Sequence, residues 1–188
     1  RHVSARLDVD VLALEQYDTV TILLEMQAPA VAPSSEPRPQ HTVVMVLDRS
    51  GSMSDIRDDI IGGVNAFIAD QRATEHPITA TLVQFDGQDT FEVIAENVTL
   101  EKIPTLTSAI YQPRGNTPLL DAIGLGIRSL TNHLDGLKAK AKPVDIVFVI
   151  VTDGQENSSK EFSRGHITDL IKAKEAAGWK FIFLSSDL

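Results

Sequence analysis

Residues 43–52 have the sequence VVMVLDRSGS, in which an unbroken apolar run ends in an aspartate and two serines. An apolar run without polar alternation is typical of a strand that is buried on both faces, as in a parallel sheet. Ligands of open parallel sheets bind beyond the carboxyl ends of the strands. The segment therefore predicts a buried strand and, directly after it, a loop that can carry a functional site.

Strand and helix patterns alternate along the rest of the chain. Apolar or alternating runs predict four further strands, at residues 78–85, 90–98, 146–151 and 181–184. Apolar residues at helical spacing predict three helices, at about residues 54–68, 118–134 and 163–177. The predicted N-caps are Ser54 and Thr117, with Pro118 in the first turn of the second helix. Ser163 is predicted to begin the third helix and Gly178 to end it. This order predicts a doubly wound α/β fold, Rossmann-like, with a mostly parallel sheet.

The first 40 residues have a different pattern. Residues 6–28 alternate as two half-buried strands and predict a β-hairpin, and four prolines within residues 29–40 predict a stiff linker. We expect residues 1–40 to form this N-terminal hairpin and linker, and residues 41–188 to form the α/β domain.

Composition excludes several classes of function. The net charge of −9 and the absence of a Lys/Arg cluster argue against a nucleic-acid partner. No apolar run is long enough to span a membrane. The sequence contains no cysteine, which excludes thiolate metal sites. Together with the lack of a signal-peptide pattern, this favours a cytoplasmic location, with a secreted or surface location as the alternative.

Three polar loops are expected at the ligand-binding edge of the sheet. Asp48, Ser50 and Ser52 follow the first buried strand, Thr117 precedes the second helix, and Asp153 follows a later apolar strand. Their side chains offer carboxylate and hydroxyl oxygens and no sulfur or imidazole. Such an all-oxygen set suits a hard divalent cation such as Mg²⁺ or Mn²⁺.

These three motifs, in this order, resemble the metal-ion-dependent adhesion site of von Willebrand factor type A domains, and the resemblance covers residues 41–188. It implies a three-layer α/β/α fold with strand order 3-2-1-4-5-6 and one antiparallel edge strand. It implies metal ligation by Ser50, Ser52 and Thr117, with Asp48 and Asp153 acting largely through water. The cation, Mg²⁺ or alternatively Mn²⁺ or Ca²⁺, would keep an open position for an Asp or Glu carboxylate of a protein partner.

Three further residues are predicted to surround the metal and contact the partner, namely Arg49, Asn116 and Glu156. Arg49 is expected to be exposed beside the metal. The simpler interpretation treats Arg49 and Glu156 as solvated surface charges.

The chain departs from the resembled family in two places. The family has a sixth strand and a closing helix after the fifth strand, whereas this sequence ends at Leu188. We expect residues 6–28 to cover that edge of the sheet or the parent protein to continue, because an uncovered edge strand favours aggregation. The family also does not require the N-terminal hairpin.

Two other functions compete with metal-dependent protein binding. A Mg²⁺-dependent phosphatase-like enzyme would need a nucleophile and cations for the phosphoryl group. Ser50 stands where an aspartyl-phosphate enzyme would have a second aspartate, and no lysine lies beside the motifs, so we do not expect an enzyme. A domain with a purely structural metal is the other alternative.

Gly124 and Gly126 lie within a helical pattern and indicate close helix packing rather than a dinucleotide-binding loop.

Overall fold

The computed structural model describes residues 40–74, 77–138, 143, 145–153 and 156–185. The predicted N-terminal hairpin and nearly all of the proline-rich linker lie outside these residues. The described strands are β1 (His41–Asp48), β2 (Ile78–Phe85), β3 (Glu92–Thr99), β4 (Asp145–Thr152) and β5 (Trp179–Ser185). The described α-helices are α1 (Arg57–Arg72), α2 (Leu119–Gly136) and α3 (Arg164–Ala176).

The five strands form one sheet in the order β3-β2-β1-β4-β5. β1 lies in the centre and pairs in parallel with both β2 and β4, and β5 is parallel to β4. β3 pairs antiparallel with β2 and forms an edge. The predicted α/β class, the mostly parallel sheet and the order of these five strands are confirmed. The implied sixth strand has no counterpart within the described part of the chain.

Apolar side chains fill both faces of the sheet, which makes the domain three-layered. On one face, Val43, Met45 and Leu47 of β1 pack in a cluster with Val64 and Ile68 of α1. On the other face, alternate residues of β1 join a cluster that includes residues of α2 and α3. Because β1 is covered on both sides, its residues 43–47 are all apolar. No helix among the described residues is long and apolar enough to cross a membrane.

The two predicted N-caps, Ser54 and Thr117, are wrong. After β1 the chain forms a 3-10 turn at Gly51–Ile56 before α1 begins. Ser54 lies inside this turn, and its hydroxyl donates to the Gly51 carbonyl oxygen at 2.7 Å instead of capping α1. α2 begins at Leu119 with Pro118 at the N-cap position, so Thr117 is not the cap. Ser163 caps α3, because its side chain accepts a hydrogen bond from the His166 amide.

The two glycines inside α2 allow close packing, which confirms their predicted role. A Cβ at Gly126 would lie 2.8 Å from Cζ of Phe148, and one at Gly124 would lie 2.7 Å from ring atoms of Phe162. Phe148 is fully buried on the central sheet. A side chain at Gly126 would therefore push α2 away from the sheet.

Candidate functional site

The parallel register brings two aspartates to the same edge of the sheet. Leu47 of β1 lies opposite Val151 of β4. Asp48 is the last residue of β1, and Asp153 directly follows β4. Both residues are buried, with a relative exposure of 0% for Asp48 and 8% for Asp153. The edge formed by the carboxyl ends of the central strands is therefore where these two predicted metal ligands meet.

The carboxylate of Asp48 is held in a fixed orientation. One oxygen accepts the Ser50 amide at 2.7 Å, and the other accepts the Thr152 hydroxyl at 2.7 Å. The buried Tyr111 hydroxyl donates to the backbone carbonyl of Asp48. These bonds connect Asp48 to its own loop, to the end of β4 and to the segment before α2.

The two serines of the first loop lie side by side. The Oγ atoms of Ser50 and Ser52 are 3.1 Å apart. Two neighbouring oxygen ligands at about 2.1 Å from an octahedral Mg²⁺ would be separated by about 3.0 Å. Ser50 is buried while Ser52 is exposed, so the pair spans the boundary between protein and solvent. The spacing fits two adjacent ligands of one ion.

Hydrogen bonds connect the segment that carries Thr117 to both of the other loops. The Gly51 amide donates to the Gly115 carbonyl at 3.0 Å, which connects the first loop to the segment before Thr117. Gly115 has φ of +68°, a conformation that favours glycine. On the other side, the Thr117 amide donates to Oδ1 of Asn157 at 2.8 Å. The structure thus brings together the three loops that carry the five predicted metal ligands.

The electrostatics of Asp48 suit a cation. Burial raises the pKa of Asp48, and the negative charge of Asp153 raises it further, while hydrogen bonds from Thr152 and Ser50 act in the opposite direction. A divalent cation would offset both unfavourable effects at once. No three His, Cys, Asp or Glu side chains converge as a metal site within the described ranges. The two aspartates would therefore need further donors, and the hydroxyls of Ser50, Ser52 and Thr117 are the ones that the family resemblance implies.

The prediction that Arg49 is exposed beside the metal is wrong. Its side chain is only 4% exposed, its Nε donates to Oδ2 of Asp86 at 2.8 Å, and its guanidinium lies 2.7 Å from Glu92. Asp86, at the end of β2, is fully buried and also binds Nε of Arg114 at 2.9 Å. Arg49 turns towards β2 because Asp86 offers a buried carboxylate there. The more exposed arginine of this cluster is Arg114, whose side chain is 42% exposed.

Glu156 and Asn116 differ in how they are placed. Asn116 is exposed next to Thr117, as expected for a residue that surrounds the metal. The carboxylate of Glu156 is not a solvated surface charge, because it accepts the amides of Leu120, Ser158 and Ser159 and the Ser159 hydroxyl. Both oxygens of Glu156 therefore accept hydrogen bonds from donors within this protein. The partner-binding roles of Arg49, Asn116 and Glu156 stay predictions.

Sequence reasoning did not predict the contacts that four residues make at this site. Thr152 and Tyr111 bind Asp48, Asn157 binds Thr117, and Asp121 accepts three amides from residues 160–162. Thr152 had a usable signal, since a buried carboxylate needs donors and a hydroxyl immediately precedes Asp153. Tyr111 had none, because its contact with Asp48 arises only from the path of the folded chain.

Comparison with known proteins supports the fold. No protein-family model matches the sequence, and no curated protein is significantly similar to it. A von Willebrand factor type A protein from Catenulispora acidiphila is similar in structure, with a TM-score of 0.53, 12% identity and coverage of 77% of this chain and 33% of that one. A manganese-loaded TRAP protein from Plasmodium vivax gives a TM-score of 0.52 and 17% identity over 79% of this chain and 58% of that one. The chain thus spans a third to about three fifths of these proteins, and it shares the fold of von Willebrand factor type A domains.

Proposed function

We propose that the chain is a protein-binding module that takes one divalent cation at the site of Asp48, Ser50, Ser52, Thr117 and Asp153. Through that ion it binds an Asp or Glu carboxylate of a partner. The observation that supports this most is the buried, doubly hydrogen-bonded carboxylate of Asp48 next to Asp153 and the paired hydroxyls of Ser50 and Ser52. A divalent cation would offset both the burial of the Asp48 carboxylate and its repulsion from Asp153.

The chemistry of the site favours binding over catalysis. Few of the proposed ligands carry a charge, so a bound divalent cation would remain electrophilic and attract a carboxylate. Mg²⁺ is the proposed ion, with Mn²⁺ or Ca²⁺ as alternatives. The TRAP neighbour is described as manganese-loaded, which makes Mn²⁺ a suitable probe. No catalytic role is proposed for any residue.

The exposed residues indicate the direction from which a partner approaches. Gly51, Ser52 and Asn116 are exposed, whereas Asp48, Thr117 and Asp153 are buried. A carboxylate would therefore reach the ion from the side of the first and second loops. Asn116 lies on this side and is proposed to contact the partner.

Relaxation of water protons by Mn²⁺ tests whether the ion keeps an open position. If the site binds Mn²⁺ and leaves a position open, the complex should enhance water-proton relaxation, and added acetate should reduce that enhancement. Enhancement that acetate does not change would contradict carboxylate binding. Bound Mn²⁺ with no exchangeable water would instead support a purely structural metal, and Mg²⁺-dependent phosphatase turnover that Asp48→Asn abolishes would support an enzyme.

A further inference from the structure

Two hydrogen bonds join Asn157 and Thr117. The backbone amide of Thr117 donates to the side-chain Oδ1 of Asn157 at 2.8 Å, and the backbone amide of Asn157 donates to the backbone carbonyl of Thr117 at 3.1 Å. Asn157 belongs to the loop that also carries Asp153. The loop of one proposed metal ligand therefore fixes the backbone of another.

The same loop caps α2 independently of Asn157. Glu156 accepts the Leu120 amide at 2.9 Å, and the Ser159 hydroxyl accepts the Asp121 amide at 3.1 Å. In return, the Asp121 carboxylate accepts the amides of Lys160, Glu161 and Phe162. The helix start remains capped if the Asn157 side chain is removed, so the contact with Thr117 is not required to cap α2.

Fixing the backbone of a threonine also restricts its hydroxyl. Thr117 is β-branched, which limits rotation about its first side-chain torsion, and only 2% of it is exposed. Because the backbone amide and carbonyl of Thr117 are both hydrogen-bonded, its Oγ1 atom can occupy few positions. Residues that orient metal ligands in this way commonly change metal affinity when they are replaced.

We propose that Asn157 is a positioning residue, which holds Thr117 where its hydroxyl can bind the cation. This inference rests on the proposed function, because it assumes that Thr117 is a ligand. Asn157 itself is exposed, and its proposed effect on the ion acts through Thr117. It thereby couples the loop after β4 to the loop before α2.

Three variants of the full chain test this role. Asn157→Ala removes the acceptor for the Thr117 amide, and Asn157→Asp keeps an oxygen acceptor in the same place. Ser158→Ala is the matched control, since the Ser158 hydroxyl is buried without a hydrogen-bond partner among the described residues. We would measure Mn²⁺ affinity by calorimetry, and hydrogen exchange at the Thr117 amide by NMR in the metal-free protein.

We expect Asn157→Ala to weaken Mn²⁺ binding by about tenfold and to speed exchange at Thr117. Asn157→Asp and Ser158→Ala should keep wild-type exchange, and both should bind Mn²⁺ at least as tightly as the wild type. Unchanged exchange in Asn157→Ala would show that the hydrogen bond does not hold Thr117. Faster exchange with unchanged Mn²⁺ affinity would overturn the positioning role while leaving the proposed function intact. Absence of Mn²⁺ binding by the wild type would overturn both.

Discussion

Arg49 and Asp86 form a buried ion pair between the ends of β1 and β2. Nε of Arg49 donates to Oδ2 of Asp86 at 2.8 Å, and the two side chains are 4% and 0% exposed. The Arg49 backbone is fixed as well, since its amide donates to the Phe85 carbonyl and its carbonyl accepts the Arg114 amide. The loop that carries Ser50 and Ser52 is thus anchored to β2.

Asp86→Ala should destabilise the domain strongly. The substitution leaves Arg49 buried with only Glu92 as a charged partner, and removing one member of a buried ion pair costs about 3–5 kcal/mol. Chemical denaturation would measure the loss in the free energy of unfolding. Asp89→Ala, at an exposed position in the same turn, should cost less than about 1 kcal/mol. Equal losses in the two variants would show that the buried ion pair does not anchor the loop.

Gly126→Ala should also destabilise the domain, although alanine favours a helix over glycine by about 1 kcal/mol. The added Cβ would lie 2.8 Å from the buried ring of Phe148, so α2 or the ring must move. Gly136→Ala is the matched control at the end of the same helix, where nothing lies within 4 Å of the added Cβ. Thermal melting should show a lower Tm for the first variant and an equal or higher Tm for the second. A higher Tm for both would refute close packing at Gly126.

The contribution of Glu156 to stability should depend on pH. Burial disfavours its charged form, but hydrogen bonds from Leu120, Ser159 and Ser158 outweigh burial and hold its pKa below the ordinary value of 4.5. A carboxylate whose pKa is lowered on folding stabilises the protein above its unfolded pKa, and this contribution is lost as pH falls through the folded pKa.

Glu156→Gln should therefore lower the free energy of unfolding at neutral pH, because the amide nitrogen cannot accept the bonds that a carboxylate oxygen accepts. The difference from the wild type should shrink as pH falls below about 4.5. Urea denaturation at a series of pH values measures this difference. A difference that stays constant down to acidic pH would contradict the role of the ionised carboxylate.

Much of the sheet was predictable because strands that are buried on both faces have recognisable apolar sequences. β1 and β4 are covered on both faces, so each contains an unbroken apolar run, whereas the edge strand β3 mixes polar and apolar residues. The strand order was implied by the resemblance, since apolar runs carry no information on which strands are neighbours. The oxygen-rich loops were recognisable for the same reason, because polar residues follow the apolar runs, Asp48 after the first and Thr152 with Asp153 after the second.

The errors concern residues whose partners are distant in the chain. Local rules predict Thr117 as a helix cap, but Glu156 and Ser159 supply the caps from a loop that is far away in sequence. Arg49 looks like an exposed residue of a loop, and its burial follows only from the pairing of β1 with β2, which places Asp86 beside it. Such contacts depend on tertiary structure, and neither propensity nor spacing reveals them.

Calorimetric titration of the metal-free protein with Mg²⁺ and Mn²⁺ tests the central claim most directly. The matched variants are Asp48→Asn, which removes one buried charge at the site with little change of shape, and Asp59→Asn, which removes an exposed carboxylate at the start of α1. We predict that the wild type and Asp59→Asn each bind a single ion and that Asp48→Asn loses this binding. Absence of binding in the wild type, or equal binding in Asp48→Asn, would contradict the proposed metal site.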